Sequence, residues 1–295
     1  MTGHTGFAGA HLAAACGEVT GLSRGTGCDL LDAAATRAAI AAARPDVVYH
    51  LAARAHVGES WRDPAGTLHD NVAMTLHVLE AVRAEAPGAV VVVASSGEVY
   101  GPPAALPVDE AAPLAPRNPY AVSKAACDLL AGMYADLHVI RARAFNHAGP
   151  GQDPSYAIAS FARQAARGAS RIVTGNPDTR RDYTDVRDVV RAYRLLAERG
   201  EPGVYNVCSG RSASTRELVG MLGAEVEVDP ALLRPNEVMD LYGSYERLRA
   251  ATGWEPEIPL ERTLTDARES WRRQAGPGPA RTAAPRPARG RSPRS

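Results

Sequence analysis

Val90 to Val93 are four consecutive valines, and they run out into Ala94, Ser95 and Ser96. A strand that is apolar at every position has no face to offer to water. It belongs in a sheet covered on both sides, and such sheets are mostly parallel. The chain repeats the device in "DVVYHLA" and "HVIRARAF", and "EVTGL" reads as a shorter strand. Between these runs lie Ala/Leu/Arg-rich stretches of helical length: "AATRAAIAAA", "NVAMTLHVLEAVRAEA" and "NPYAVSKAACDLLAGMYADL". Strands alternating with helices predict an α/β fold built on a doubly wound parallel sheet.

After about residue 150 the rhythm loosens. "AIASFARQAARG" and "VRDVVRAYRLLAERG" read as helices, the second ended by Gly200, and "GVYNV" and "AEVEV" read as short strands. The expected organisation is a dinucleotide-binding domain over 1–150 and a smaller substrate lobe over 151–273, with segments that return to the main sheet. Residues 274–295 form an Arg/Pro-rich tail. From Ala275 this tail has no acid and almost no large apolar residue, so it is expected to be disordered.

Composition narrows the function. The formal net charge is zero, which gives no footprint for a nucleic-acid partner. No apolar run approaches the roughly 20 residues of a membrane span. Cys16, Cys28, Cys127 and Cys208 are scattered without C-x-x-C spacing, so neither a zinc site nor a disulfide framework is expected. With no signal-like opening, a reducing cytoplasm is the expected compartment.

Three stretches carry chemistry. Gly3, Gly6 and Gly9 stand at G-x-x-G-x-x-G spacing before an Ala-rich helix, a pattern that turns backbone N–H groups toward a phosphate. Such a turn normally leaves a strand, yet only Met1 and Thr2 precede Gly3; the expectation is a recorded chain that lacks its first strand. Tyr120 and Lys124 are four apart and share a helix face, where an ammonium is expected to lower the phenol toward the working range. Ser95, Ser96 and Glu98 follow the valine strand, and open parallel sheets bind ligands beyond such strand ends. Each feature alone also fits a plain glycine turn, a solvated helix or a polar strand exit. In this order and spacing they describe a dinucleotide-type turn beside a tyrosine usable as acid or base in hydride chemistry.

With these motifs the chain resembles the extended short-chain dehydrogenases/reductases acting on nucleotide sugars, whose fold is Rossmann-like. The resemblance covers residues 1–273 and includes "TGHTGFAGAHL", "PDVVYHLAA", "ASSGEVYG", "NPYAVSKAACDLL", "RAFNHAGPGQ" and "RDYTDVRDVVRAY". Within it, "FNHAGPGQ" and "GNPDTRRDYTDVRDVVRAY" look most like GDP-4-keto-6-deoxy-D-mannose reductases and GDP-mannose 4,6-dehydratases. Met74 stands where the family carries a small residue.

The resemblance implies roles by position. Gly3, Gly6, Phe7 and Gly9 would hold the cofactor pyrophosphate, Asp29 and Leu30 the adenine, and Leu51, Ala52 and Ala53 would line the cofactor. Ser96 would hold the sugar oxygen beside Tyr120, and Lys124 would also hold the nicotinamide ribose. Asn146, Arg181 and Arg234 would contact the sugar and diphosphate. Asn146 also reads as a residue that orders a loop, Arg181 as a partner of Asp182 or Asp185, and His50 and His147 as hydrogen-bonded structure.

The implied reaction is reduction of the 4-keto group of GDP-4-keto-6-deoxy-D-mannose to GDP-D-rhamnose. Ser23 and Arg24 stand where a carboxylate would select NAD, so Arg24 favours NADP(H), with NAD(H) as the alternative. The rivals are a 4,6-dehydratase using Glu98 as base, an epimerase, and an inactive nucleotide-binding sensor. A homodimer is the expected state.

Overall fold

A computed structural model describes residues 1–233 and 237–274. In chain order the first half contains α1 (Phe7–Ala15), α2 (Ala33–Ala43), β1 (Val47–His50), one-turn α3 (Val57–Ser60), α4 (Pro64–Glu85), β2 (Val90–Ser96), α5 (Pro119–Gly132) and β3 (His138–Ala144). The second half contains β4 (Asn146–Ala148), α6 (Ala157–Ala166), β5 (Arg171–Thr174), β6 (Arg180–Asp185), α7 (Val186–Arg199), β7 (Gly203–Val207), β8 (Ser212–Ser214), α8 (Thr215–Met221), β9 (Glu225–Val228), β10 (Asp240–Leu241), α9 (Glu246–Thr252) and α10 (Leu260–Gln274).

The main sheet runs β1-β2-β3-β7, and every pair is parallel. Side chains alternate across it. Val91, Val93 and Val139 join a core with Ile40 of α2 and Val78, Leu79 and Val82 of α4. Val92, Ile140 and Ala142 face the other way, onto Leu12 of α1, Val189 and Leu196 of α7, and Trp254. Both faces are therefore covered, which is why the valine run needs no polar alternation. Met74 packs half-buried against the first of these cores.

Thr2 lies beside the far edge of β1, bridged in parallel to Leu22 on one side and His50 on the other. The strand expected at "EVTGL" does not form. Only Leu22 has a bridge partner there; Met1 donates to the Thr20 carbonyl and accepts from Leu22 N, and the turn at Gly3 stops the pairing beyond Leu22.

A second sheet, ordered β10-β6-β4 with β8 antiparallel to β6, stands beyond the carboxyl end of β3; β5 and β9 form a separate parallel pair. Ile158, Phe161, Ile172, Leu218 and Leu264 fill the core beneath these elements. Gln274 closes α10, and the remainder of the expected tail, 275–295, lies outside the described residues, as does Arg234.

Candidate active site

The glycine turn is shaped by contacts that leave no room for side chains. Gly3 has φ +68°, and a Cβ on it would stand 2.7 Å from Ala52 N; one on Gly9 would stand 2.0 Å from Gly3 O. Helix α1 thus sits directly on the turn, and the turn on the 51–53 segment. Gly6 caps α1 in extended conformation with no side-chain hydrogen bond, so the first amides of the helix remain available to an anion. This bare backbone cradle fits a dinucleotide pyrophosphate. Leu51 N donates to Thr2 O and Ala52 N to Thr2 Oγ1, while Leu51, Ala52 and Ala53 stay half-buried along the cradle.

Helix α5 supplies the second part. Asn118 caps it by accepting from Ala121 N at 2.7 Å, and Pro119 occupies the first turn, where its missing N–H costs nothing. The cap places Tyr120 and Lys124 on the face turned to β2. Lys124 is buried and its ammonium donates to the Ala94 carbonyl. Burial lowers Lys124, and Cys127 and Asp128 counter it.

The expected lowering of the Tyr120 phenol by Lys124 is corrected by the structure. Burial pushes the phenol up, and the opposing influence is a hydrogen bond from Ser96. The ammonium is engaged by a backbone carbonyl and so does little for the phenolate.

Ser96 ends β2. Its Oγ accepts the Glu98 N–H at 3.2 Å, so its own proton is the one turned to the Tyr120 oxygen. Glu98 accepts from Asn118 Nδ2 at 3.2 Å. One side chain therefore both starts the Tyr120 helix and holds the Glu98 carboxylate.

Ser96, Glu98, Asn146 and Arg181 line a single recess with Gly97, Ala144, Phe145 and Leu241. Residues far apart in sequence meet there because the carboxyl end of β2 lies against the first residue of β4 and the start of β6. Arg181 donates to the Arg180 carbonyl but pairs with no carboxylate among the described residues. Its expected rivals are committed elsewhere. Asp185 holds Arg187, and buried Asp182 accepts from Ser209 N, Ser209 Oγ, Gly210 N and Gly243 N. Burial outweighs these donors and raises Asp182 to about 6. The Asn146 side chain makes no hydrogen bond among the described residues.

Arg24 is exposed, on a tight turn over Arg24–Thr26, without an ion pair among the described residues. Asp29 is exposed and accepts from Leu31 N, while buried Leu30 accepts a His77 hydrogen bond on its carbonyl. His50 and His147 are hydrogen-bonded, His50 to Thr2 and Thr75 and His147 to the Phe145 carbonyl.

One functional support escapes the motif reading. Asp128, fully buried one turn beyond Lys124, pairs with Arg143 through two bonds of 2.9 Å, and Arg143 donates to Tyr100 Oη at 3.0 Å. Burial pushes Asp128 up, yet the Arg143 hydrogen bonds and charge hold it below the usual carboxylate range. The available signal was an arginine inside the apolar strand "HVIRARAF", since buried arginines are paired.

A parallel Rossmann-like sheet, an open glycine turn and a polar recess at the carboxyl edge of β2 are the architecture of the extended short-chain dehydrogenases/reductases. The chain belongs to the GDP-mannose 4,6 dehydratase family, whose model matches residues 18–267. It is 45% identical over 244 residues to the GDP-6-deoxy-D-mannose reductase of Pseudomonas aeruginosa, covering 77% of this chain and 80% of that protein. The structure of RMD from the same organism, complexed with NADPH, superposes with a TM-score of 0.84 at 40% identity over 92% of this chain and 97% of that one. The UDP-glucose 4-epimerase of Thermus thermophilus, in complex with NAD, superposes with a TM-score of 0.81 at 31% identity over 92% of this chain and 97% of that one.

Proposed function

We propose that the chain is a nucleotide-sugar reductase that converts GDP-4-keto-6-deoxy-D-mannose to GDP-D-rhamnose, using NADPH with NADH as the alternative. The observation that carries this reading is the recess in which Ser96, Glu98, Asn146 and Arg181 meet beside Tyr120 and the glycine cradle. Likeness to the P. aeruginosa reductase supports it. Residues 1–150 would hold the dinucleotide and 151–273 the sugar.

A nicotinamide held by the glycine turn would supply the hydride for carbon 4. The chain's own groups manage the oxygen. Ser96, hydrogen-bonded to the Tyr120 oxygen, would turn its proton to the substrate carbonyl oxygen. Tyr120, kept protonated by burial, gives its proton to the forming alkoxide. A raised phenol is suited to this direction, because the task is to deliver a proton and not to abstract one. Lys124 fixes the helix on Ala94 and adds a positive charge beneath the site. Arg181 offers a planar fork to the diphosphate. Arg24 would meet the 2′-phosphate of NADPH, and no acid stands at position 23 or 24 to prefer a free ribose.

The dehydratase reading has one observation in its favour: the Glu98 carboxylate lies in the recess. The deciding experiment incubates the protein with GDP-4-keto-6-deoxy-D-mannose and each reduced cofactor, and with GDP-mannose alone. Cofactor-dependent formation of GDP-D-rhamnose is expected; conversion of GDP-mannose to the keto sugar with no net cofactor use would establish the rival.

We also infer a cytoplasmic homodimer. Val122, Leu129 and Met133 form an exposed apolar stripe on α5, with Leu68 and Leu76 exposed on α4, which packs against α5. Four unpaired cysteines suit a reducing compartment. No described helix is long and apolar enough to cross a membrane.

A further inference from the structure

Glu98 is the one acid among the described residues that line the substrate recess. It lies close to the reacting centre: burial raises the Tyr120 phenol, and the Glu98 charge adds to that rise. The reaction proposed above gives this carboxylate nothing to do, yet its presence is a hazard. A 4-keto group acidifies the C–H bonds of the two flanking carbons, 3 and 5. A carboxylate that reached either hydrogen would take the proton and leave the electron pair in an enolate. A proton returned from water to either face of that carbon would then exchange or invert it. No oxidant or reductant is needed, so the state of the cofactor does not prevent this side reaction.

Glu98 is held at two points. Its backbone N–H donates to Ser96 Oγ at 3.2 Å, which fixes the start of the Gly97–Tyr100 turn. Its Oε2 accepts from Asn118 Nδ2 at 3.2 Å. The Asn118 amide has no choice of orientation. Asn118 is the N-cap of α5, and its Oδ1 accepts from Ala121 N at 2.7 Å. A backbone N–H only donates, so the amide oxygen must face the helix and the NH2 group must face Glu98. Swinging the amide away would cost the cap as well. The donor is therefore built into the helix that carries Tyr120, two residues further on. Arg181 lines the same recess, but its guanidinium donates to the Arg180 carbonyl and leaves Glu98 to Asn118.

We propose that Asn118 is a positioning residue that sets specificity: by tethering the Glu98 carboxylate to the start of α5 it keeps that group off carbons 3 and 5, so the keto sugar is reduced without exchange or inversion there. This rests on the reductase reading given above. The helix cap and the restraint on the acid are one side chain, so α5 cannot present Tyr120 without also holding Glu98 back.

The test follows carbon-bound hydrogen and not turnover. GDP-4-keto-6-deoxy-D-mannose is incubated in heavy water with NADP+, which cannot reduce it, and deuterium at carbons 3 and 5 is read by NMR. Wild type should stay at the rate found without protein. Asn118→Ser keeps a capping oxygen for Ala121 N and loses the donor; it should raise exchange about tenfold, the worth of one hydrogen bond to a charged group. Asn118→Asp, of the same shape and accepting only, should move the same way. Adding Glu98→Gln to Asn118→Ser should return exchange to the rate without protein, a reversal that a loosened helix would not show. Binding of NADPH by each variant shows that it is folded. Exchange by wild type, exchange that survives Glu98→Gln, or two Asn118 variants at the wild-type rate would each overturn the tether. A wild type that leaves the keto sugar unreduced with NADPH would overturn the proposed reaction instead, since the exchange comparison needs only the bound sugar and reads the tether by itself.

Discussion

Replacing His50 by Gln probes the buried junction that ties the glycine turn to the sheet. Thr75 Oγ1 donates its one hydrogen to the Asn71 carbonyl at 2.8 Å, so it must accept from His50 Nε2, 3.1 Å away. Thr2 Oγ1 accepts from Ala52 N at 3.2 Å and donates to His50 Nδ1 at 2.9 Å. The ring is therefore held neutral, with its proton on Nε2 and no acceptor left for a second proton. Burial, reinforced by the charge of Lys124, lowers its pKa to about 3. The unfolded ring titrates near 6.5. The native state thus binds fewer protons than the unfolded chain between these values. The stabilisation is complete above pH 6.5 and is lost as pH falls toward 3. Between pH 7.5 and 5 the loss from this one group amounts to about 2 kcal/mol. Urea unfolding of wild type and His50→Gln at both pH values isolates it, because the other groups titrate in both proteins. The variant should be less stable at pH 7.5 by about 2–4 kcal/mol, since Thr2 and Thr75 lose a shared partner. That gap should narrow by about 2 kcal/mol at pH 5. An equal gap at both pH values would show that the ring takes a proton in the native state and that the assigned network is wrong.

Tyr120→Phe should leave NADPH affinity nearly intact and lower turnover by about 10²–10⁴, measured under saturating sugar; full turnover would remove Tyr120 as the proton donor. Arg24→Ala should weaken NADPH by about 1.5–3 kcal/mol and barely alter NADH, and equal losses in calorimetry would refute the 2′-phosphate assignment. Glu98→Gln should keep most reductase turnover, because carbonyl reduction removes no carbon-bound proton; solvent deuterium appearing at carbon 5 of the product in heavy water would point to elimination instead. Wild type should have a dimer's mass in light scattering and Leu129→Lys combined with Met133→Lys a monomer's; a monomeric wild type would refute the proposed dimer, and a dimeric variant would refute the α5 stripe as its contact.

The strands at 47–50, 90–96, 138–144 and 203–207 were legible because their apolar, β-branched character is local and continuous. The helices around Ile40, Leu79, Lys124 and Leu196 were legible for the same kind of reason. "EVTGL" misled because strand formation depends on a ladder partner as well as composition, and Leu22 meets only Thr2. The shift of Tyr120 was misjudged because helical spacing puts Lys124 on the same face but does not say where its ammonium ends; it ends on the Ala94 carbonyl.

Sequence alone determined the alternation of elements and the glycine turn, and it offered Ser96, Tyr120 and Lys124 as candidates, since each pattern is local: a strand exit, a turn, and an i, i+4 pair on one helix. Only the tertiary structure decided that Glu98 shares Asn118 with the cap of α5, that Arg181 is free of Asp182 and Asp185, and that Asn146 and His147 face opposite ways. Those outcomes turn on which buried group claims which partner, and that competition is settled by strands and helices far apart in the chain closing on one another.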